Sequence, residues 1–354
     1  MNFGIIGCGR IAPRHAQSIL ELPDANLVAV CDIIDSRVQH FAKKYGGTPY
    51  TDYRFILDRP DVDVISICVP SGAHMAVGRD VALAGKHALV EKPIALNLSD
   101  ADKLIRTCRD AGVALGVVLQ NRFNPPMQDL WTAANSGLLG KLLMGNATVR
   151  WYRPQDYYED GWHGTWDMDG GVLLNQAIHH IDALQWLMGD VEGVFAYTGT
   201  LAHEIETPDA GVAILRFVNG ALGIIEASTI TYPENIEGSI SLFGDRGSVK
   251  VGGTALNRKV FWKLSSELDR EREILTKEMI DPPSVYGYSH KAQIMEMISA
   301  INEHRDPMTN GLEARKSLEL VCAIHDAAAA GLEIHLNGGG KSPSKKIYKE
   351  QISY

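Results

Sequence analysis

Cysteine is scarce and does nothing by arrangement. Cys8, Cys31, Cys68, Cys108 and Cys322 are scattered, odd in number, and form no CxxC pair. A disulfide framework or a cysteine metal site is therefore not expected, and the five read as reduced, mostly buried thiols. No apolar run reaches the roughly 20 residues of a membrane helix, so no membrane partner is expected. The first strand starts at Asn2, which leaves no room for a secretory leader. With the reduced cysteines, that predicts a cytoplasmic protein. Long basic runs are missing before the tail and the formal net charge is −9, which argues against nucleic acid as a partner. There is no internal repeat. Metal-ligand spacing is also lacking: His179 and His180 are neighbours, about 100° apart on a helix, and do not easily face one ion.

What is present is a change of texture. Residues 2–120 alternate short apolar strands with amphipathic helices, as βα repetition does, and predict a parallel sheet with right-handed crossovers. Val62–Val69 is a continuous apolar run ending at Pro70, the pattern of a strand covered on both faces. After Gln120 the runs are longer and rich in β-formers. Turn signals such as Val218-Asn219-Gly220 and Gly244-Asp245-Arg246-Gly247 separate several of them. Two helices follow, near Ser289–His304 and Leu312–Ala330. The fold class expected is α/β: a doubly wound Rossmann domain over 1–121, then an α/β domain with a largely antiparallel sheet over 122–336. A mobile tail is expected over 337–354.

Gly7, Gly9 and Ala12 fit G-x-G-x-x-A directly after a strand and at a helix start. Gly7 allows the tight turn, Gly9 lets a pyrophosphate approach the backbone, and Ala12 lets helix and strand pack closely. The turn through Arg10 and Ile11 would then present free N–H groups to the pyrophosphate. Asp32 ends the second strand, where an acid bonds ribose hydroxyls and repels a 2′-phosphate. NAD is thus expected over NADP, although Arg37 lies nearby. Ser71 and His74 follow the carboxyl end of another strand and are expected near the dinucleotide.

Val90-Glu91-Lys92-Pro93 closes a further strand. An ammonium there can bond a substrate hydroxyl and stabilise an oxyanion as hydride leaves. Downstream, Leu173–Leu187 has helical spacing, and Asn175, His179 and Asp182 fall at i, i+4 and i+7 on one stripe. His179 is the expected proton acceptor. Asp182 is expected either to fix its tautomer or to serve as a helix-packing carboxylate.

These residues resemble the Gfo/Idh/MocA family of nicotinamide-dependent oxidoreductases, over nearly the whole chain to about Leu336. Glu91-Lys92-Pro93 matches the family's E-K-P motif. That implies a catalytic role beside the nicotinamide for Lys92, with Glu91 and Gln120 at the cofactor. His179 matches the histidine of the D-x-x-x-H helix; Asn175 stands at the aspartate position, which points to substrate bonding instead of proton relay. Gln120-Asn121-Arg122-Phe123-Asn124-Pro125, Gly164-Thr165-Trp166 and Leu174-Asn175-Gln176 resemble the UDP-N-acetylglucosaminuronate 3-dehydrogenases of bacterial surface-polysaccharide (lipopolysaccharide) synthesis. The resemblance implies a substrate site of Lys92, Asn121, Arg122, Trp162, Thr165, Trp166, Asn175 and His179. Arg122 or backbone N–H groups would hold an anionic carboxylate or diphosphate, a structural ion pair being the alternative for Arg122, and the tryptophans would stack on a sugar or cover the nicotinamide. It also implies a homodimer or homotetramer through the open face of the second sheet. Other sugars, a cyclitol or a dihydrodiol remain alternative substrates. A non-catalytic NAD-binding sensor is the alternative of another class.

Overall fold

The computed structural model describes residues 1–253, 255–265 and 289–336. The tail from Asn337, expected to be mobile, lies outside them. Two compact units divide the chain, and they trade segments. The first holds Met1–Gln120, Asp167–Asp169 and the described residues of 289–318; the second holds Asn121–Trp166 and the described residues of 170–265 and 319–336.

The first unit is built on a six-stranded sheet: β1 (Asn2–Ile6), β2 (Asn26–Cys31), β3 (Thr48–Tyr50), β4 (Val64–Ile67), β5 (His87–Val90) and β6 (Leu115–Val117). Their order is β3-β2-β1-β4-β5-β6, and every pairing is parallel. All four residues of β4 are buried, as helices on both faces require. Helix α1 (Ala12–Leu20) buries Ala12, His15, Ala16 and Ile19, which recur at i, i+3, i+4 and i+7 and so form one face. The strand order reverses between β1 and β4. Ligands of such sheets bind beyond the strands' carboxyl ends at that point.

A single boundary after residue 121, the sequence expectation, does not describe this unit. Helix His290–Asn302 comes late in the chain. Yet its Ile294, Met297 and Ile298 join the core of Phe3, Ile5, Ala16 and Ile19. Burying each such side chain contributes about 1.5–3 kcal/mol. An amphipathic stripe reveals that a helix is half-covered, but not by which sheet.

The second unit has an eight-stranded sheet: β7 (Leu142–Arg150), β8 (Val191–Gly199), β9 (Ala210–Phe217), β10 (Leu222–Ser228), β11 (Glu237–Gly244), β12 (Gly247–Gly252), β13 (Arg258–Leu264) and β14 (Ile334–His335). The order is β13-β12-β11-β7-β10-β9-β8-β14. All neighbours are antiparallel except β7 and β10. Both turn signals close hairpins, β9–β10 and β11–β12. A helix over Pro125–Asn135, which the sequence reading missed, starts with two prolines after Asn124, a usual helix opening.

Strand β9 alternates: Gly211, Ala213, Leu215 and Phe217 are buried, while Val212, Ile214 and Arg216 are exposed. Cross-strand register sets Tyr197 opposite Val212, and lines Phe195, Ile214 and Ile224 across three strands. The outer face of the sheet thus carries an apolar stripe. Among the described residues, no helix is long and apolar enough to cross a membrane.

Candidate functional site

The glycine turn after β1 has the stereochemistry a dinucleotide needs. Gly7 has φ +93, and a side-chain carbon there would lie 2.5 Å from the Cys68 carbonyl oxygen. Only glycine fits. At Gly9 a side-chain carbon would meet nothing within 4 Å, so the space beside its backbone is open. Helix α1 starts without a side-chain cap; Pro13 brings no N–H to its first turn, and the Arg14 N–H donates to the Ile11 carbonyl at 2.9 Å.

Asp32 is buried at the end of β2 and braces this turn. Its Oδ2 accepts the Cys8 N–H at 2.9 Å and its Oδ1 accepts the Ile34 N–H at 2.9 Å. Arg37 Nη1 lies 3.3 Å from Oδ2, so the nearby arginine is paired with the acid. Ile33, which sequence reasoning passed over, is 88% exposed beside Asp32 and offers an apolar surface to a flat base. These features fit NAD. Burial, then the Asp32 charge, pushes the Cys8 thiol up to about 12, which makes it a poor nucleophile. All five cysteines are free, and four are buried.

At the neighbouring strand ends, two residues expected at the cofactor have partners within the protein. His74 was expected at the cofactor. Instead its ring is buried, with Nδ1 2.7 Å from the Pro93 carbonyl and Nε2 2.9 Å from the Val69 carbonyl. It fastens the loop after β4 to the loop after β5. Burial pushes its pKa down, against both carbonyls. Glu91 was also expected at the cofactor. Its carboxylate turns inward: Oε1 lies 2.8 Å from His15 Nε2, and Oε2 accepts the Lys92 N–H at 3.2 Å. Ser71 is buried in the short 3-10 turn that follows β4, and Gln120 is buried after β6. Lys92 is half-buried, and the Lys92–Pro93 peptide is cis.

In the second unit, the expected continuous helix over Leu173–Leu187 is two helices. Gly171–Leu174 ends at Asn175, and α2 (Ile178–Met188) follows. Between them the N–H groups of Gln176 and Ala177 both reach the Val172 carbonyl. The Ala177 bond spans five residues, one more than in an α-helix, and slips the register. Asn175 and His179 therefore do not share a helical stripe. Half-buried His179 sits in the first turn of α2. His180 is a core residue, edge-on to Trp151 and pushed down to about 4 by burial.

Arg122 was expected to hold an anionic substrate group. Its Nε and Nη2 are instead 2.8 and 2.7 Å from the two oxygens of Asp182, and both residues are buried. Both Asp182 oxygens accept from Arg122, the pairing of a helix-packing carboxylate. Asn121 is buried beside Asn124. Thr165 donates its hydroxyl to the Trp162 carbonyl at 2.7 Å. Trp162 and Trp166 are half-buried. Trp162 stacks on His163, ring centres 3.7 Å apart, and Trp166 meets the ring of His325.

Sequence reasoning missed the group around Trp162. His163 bonds Asp160 at 2.6 Å and leans on Tyr157, while the Arg153 guanidinium lies over Tyr157. The i, i+3 spacing of Asp160 and His163 was the available signal. Among the described residues one further group, His15, Glu91 and His290, gathers buried ligand-type atoms within 4.8 Å of one another.

Comparison with known proteins agrees with both units. Residues 1–119 match the family model "Oxidoreductase family, NAD-binding Rossmann fold", and residues 127–250 match the "GFO/IDH/MocA C-terminal domain". The chain is similar to the WlbA dehydrogenase of Bordetella pertussis, solved with NADH and UDP-GlcNAcA. Identity is 38%, TM-score 0.87, with 95% of this chain and 97% of that one covered. The WlbA dehydrogenase of Chromobacterium violaceum, solved with the same two molecules, is 36% identical at TM-score 0.88, covering 96% and 97%. A myo-inositol 2-dehydrogenase of Thermotoga maritima is 29% identical over 339 residues, 90% of this chain and 94% of its own. With family models matched across most of its length and a fold to suit them, the chain belongs to the Gfo/Idh/MocA family of NAD-binding oxidoreductases.

Proposed function

We propose that this protein oxidises a secondary hydroxyl of a nucleotide-linked sugar with NAD, and that the substrate is UDP-N-acetylglucosaminuronic acid, oxidised at its 3-hydroxyl. One observation carries the choice of substrate: the likeness to two dehydrogenases solved with NADH and UDP-GlcNAcA, at 36–38% identity over almost the whole chain. The inositol dehydrogenase is more distant, at 29%. Bound NAD supplies the hydride acceptor. With the hydride passed to it, the substrate hydroxyl would give its proton to a base and its carbon would become a ketone. Lys92 bonds the hydroxyl oxygen and stabilises its negative charge. His179 accepts the proton. Asn175 binds the sugar, and Trp162 with Trp166 supplies flat apolar surface to it. Arg122 acts by holding α2 through Asp182.

Two further readings accompany this one. The apolar stripe of Tyr197, Val212, Ile214 and Ile224 supports association with a second copy of the chain through the outer sheet face. Its place is the cytoplasm, in surface-polysaccharide synthesis.

The test is a substrate panel. Purified protein with NAD is given UDP-N-acetylglucosaminuronic acid, UDP-N-acetylglucosamine, UDP-glucuronic acid and myo-inositol, and NADH is followed by its absorbance. Turnover with the first, exceeding that with the others by tenfold or more, is expected. Preference for myo-inositol would replace the nucleotide sugar by a free polyol.

A further inference from the structure

Behind the end of β5 lies a cluster of three buried side chains from distant parts of the sequence. His15 comes from α1, Glu91 from the strand end, and His290 from the first turn of helix His290–Asn302. His15 Nε2 is 2.8 Å from Glu91 Oε1, and His290 Nε2 is 4.0 Å from the same oxygen. The two imidazoles meet edge to face, 5.6 Å apart. Neither ring nitrogen of His290 has a hydrogen-bond partner among the described residues. The other Glu91 oxygen takes the backbone N–H of Lys92.

We propose that this cluster positions the proposed catalytic lysine: His15 and His290 seal Glu91 as a buried anion, and Glu91 fixes the backbone of Lys92 and keeps its ammonium charged. Glu91 is thus a positioning residue and not a cofactor ligand. The inference rests on the role proposed for Lys92 above.

A lone carboxylate in this interior would take up a proton. Burial acts on Glu91 in that direction. The hydrogen bond from His15, then the positive charge beside it, outweighs burial and pulls the carboxyl down to about 2. Other groups face it too. Cys68, just past β4, has its thiol pushed well up, by burial first and then by Glu91. His74 feels both Glu91 and Lys92. Burial and His15 push His290 down to about 3, so it stands neutral against the carboxylate as an apolar wall with dipoles. Glu91 Oε2 accepts the Lys92 backbone N–H at 3.2 Å, so the carboxylate charge lies at the root of that side chain, where it favours the ammonium over the amine. The three side chains are also of the types that bind zinc. The direct hydrogen bond between His15 and Glu91, with the second carboxylate oxygen already on Lys92, favours the anion reading.

The full-length protein tests this by the pH dependence of Lys92 acetylation, measured with acetic anhydride and read on the Lys92 peptide by mass spectrometry. The wild type is compared with Glu91→Gln, Glu91→Asp and the double variant Glu91→Gln/His15→Gln. The double variant leaves no orphaned ionic partner and guards against a single variant that fails to fold. The Lys92 midpoint should fall by about one pH unit in Glu91→Gln and in the double variant, the effect of losing one nearby charge. It should stay near the wild-type value in Glu91→Asp. NAD affinity, read by fluorescence, should change less than about threefold, while kcat falls and its alkaline limb moves with the Lys92 midpoint. An unmoved midpoint in the folded double variant overturns the proposal, as does one equivalent of tightly held zinc in the purified protein. Should Lys92→Ala retain full turnover, it is the catalytic role of Lys92 that fails; the acetylation midpoints still decide whether Glu91 sets its charge.

Discussion

Arg122 and Asp182 grip each other at two points, 2.8 and 2.7 Å, out of reach of water. Sixty residues separate them in sequence. The pair ties the segment after Gln120 to the helix that carries His179. Removing one partner strands the other as a buried charge, at a cost of about 3–5 kcal/mol. Arg122→Ala should lower stability by that amount in urea unfolding, and Arg122→Met with Asp182→Leu should recover much of it. An Arg122→Ala protein with wild-type stability and a raised KM for an acidic sugar would return Arg122 to the substrate.

Lys92→Ala and His179→Ala should each cut kcat by about 10²–10⁴-fold, the usual scale for groups that handle charge and protons in a transition state. His179→Ala should leave NAD affinity nearly unchanged, because its residue lies outside the Rossmann unit. Steady-state kinetics with NAD titration by fluorescence checks both. Full activity in the two variants would refute the assigned roles.

Asp32→Ala should weaken NAD and narrow the preference for NAD over NADP. The carboxylate repels a 2′-phosphate, and its removal also releases Arg37 from its 3.3 Å contact. The backbone groups of Cys8 and Ile34 lose their acceptor as well, so a modest loss of stability accompanies the change. The ratio of kcat/KM for the two cofactors is the measurement, and an unchanged ratio would count against the ribose assignment.

Acid should destabilise the fold before ordinary carboxylates titrate. Burial pushes His180 and His325 down to about 4 and, with His15, His290 to about 3, from an ordinary 6.5. Such rings are neutral when folded and take up protons on unfolding. Stability is therefore intact above about pH 6.5 and declines as the pH falls toward 4. Glu91, held at about 2 against an ordinary 4.5, adds a loss below 4.5. Urea midpoints at pH 7, 5.5 and 4.5 should fall in that order, and His180→Leu should flatten the upper part of the decline. A midpoint constant down to pH 4.5 would contradict the buried neutral rings.

Much of the first unit was legible because its signals are local. Buried parallel strands read as unbroken apolar runs, and the glycine turn declares itself by small residues at fixed spacing. The break at Asn175–Ala177 was hidden, since apolar periodicity runs on through a one-residue slip. Partners were the larger omission. His74 bonds carbonyls at positions 69 and 93, Glu91 a ring 76 residues away, and Arg122 a carboxylate 60 away. A motif says that a polar side chain matters there. It does not say whether that side chain faces a ligand or the interior.

The late helix His290–Asn302 has a consequence for synthesis. As the chain leaves the ribosome, the cofactor-binding lobe is made first, yet its apolar surface beside α1 stays wet until residues near 302 emerge. A gene fragment cut after the sixth strand would make a lobe with that seam open, prone to stick to others. The lobe that begins the protein is thus among the last parts to be finished.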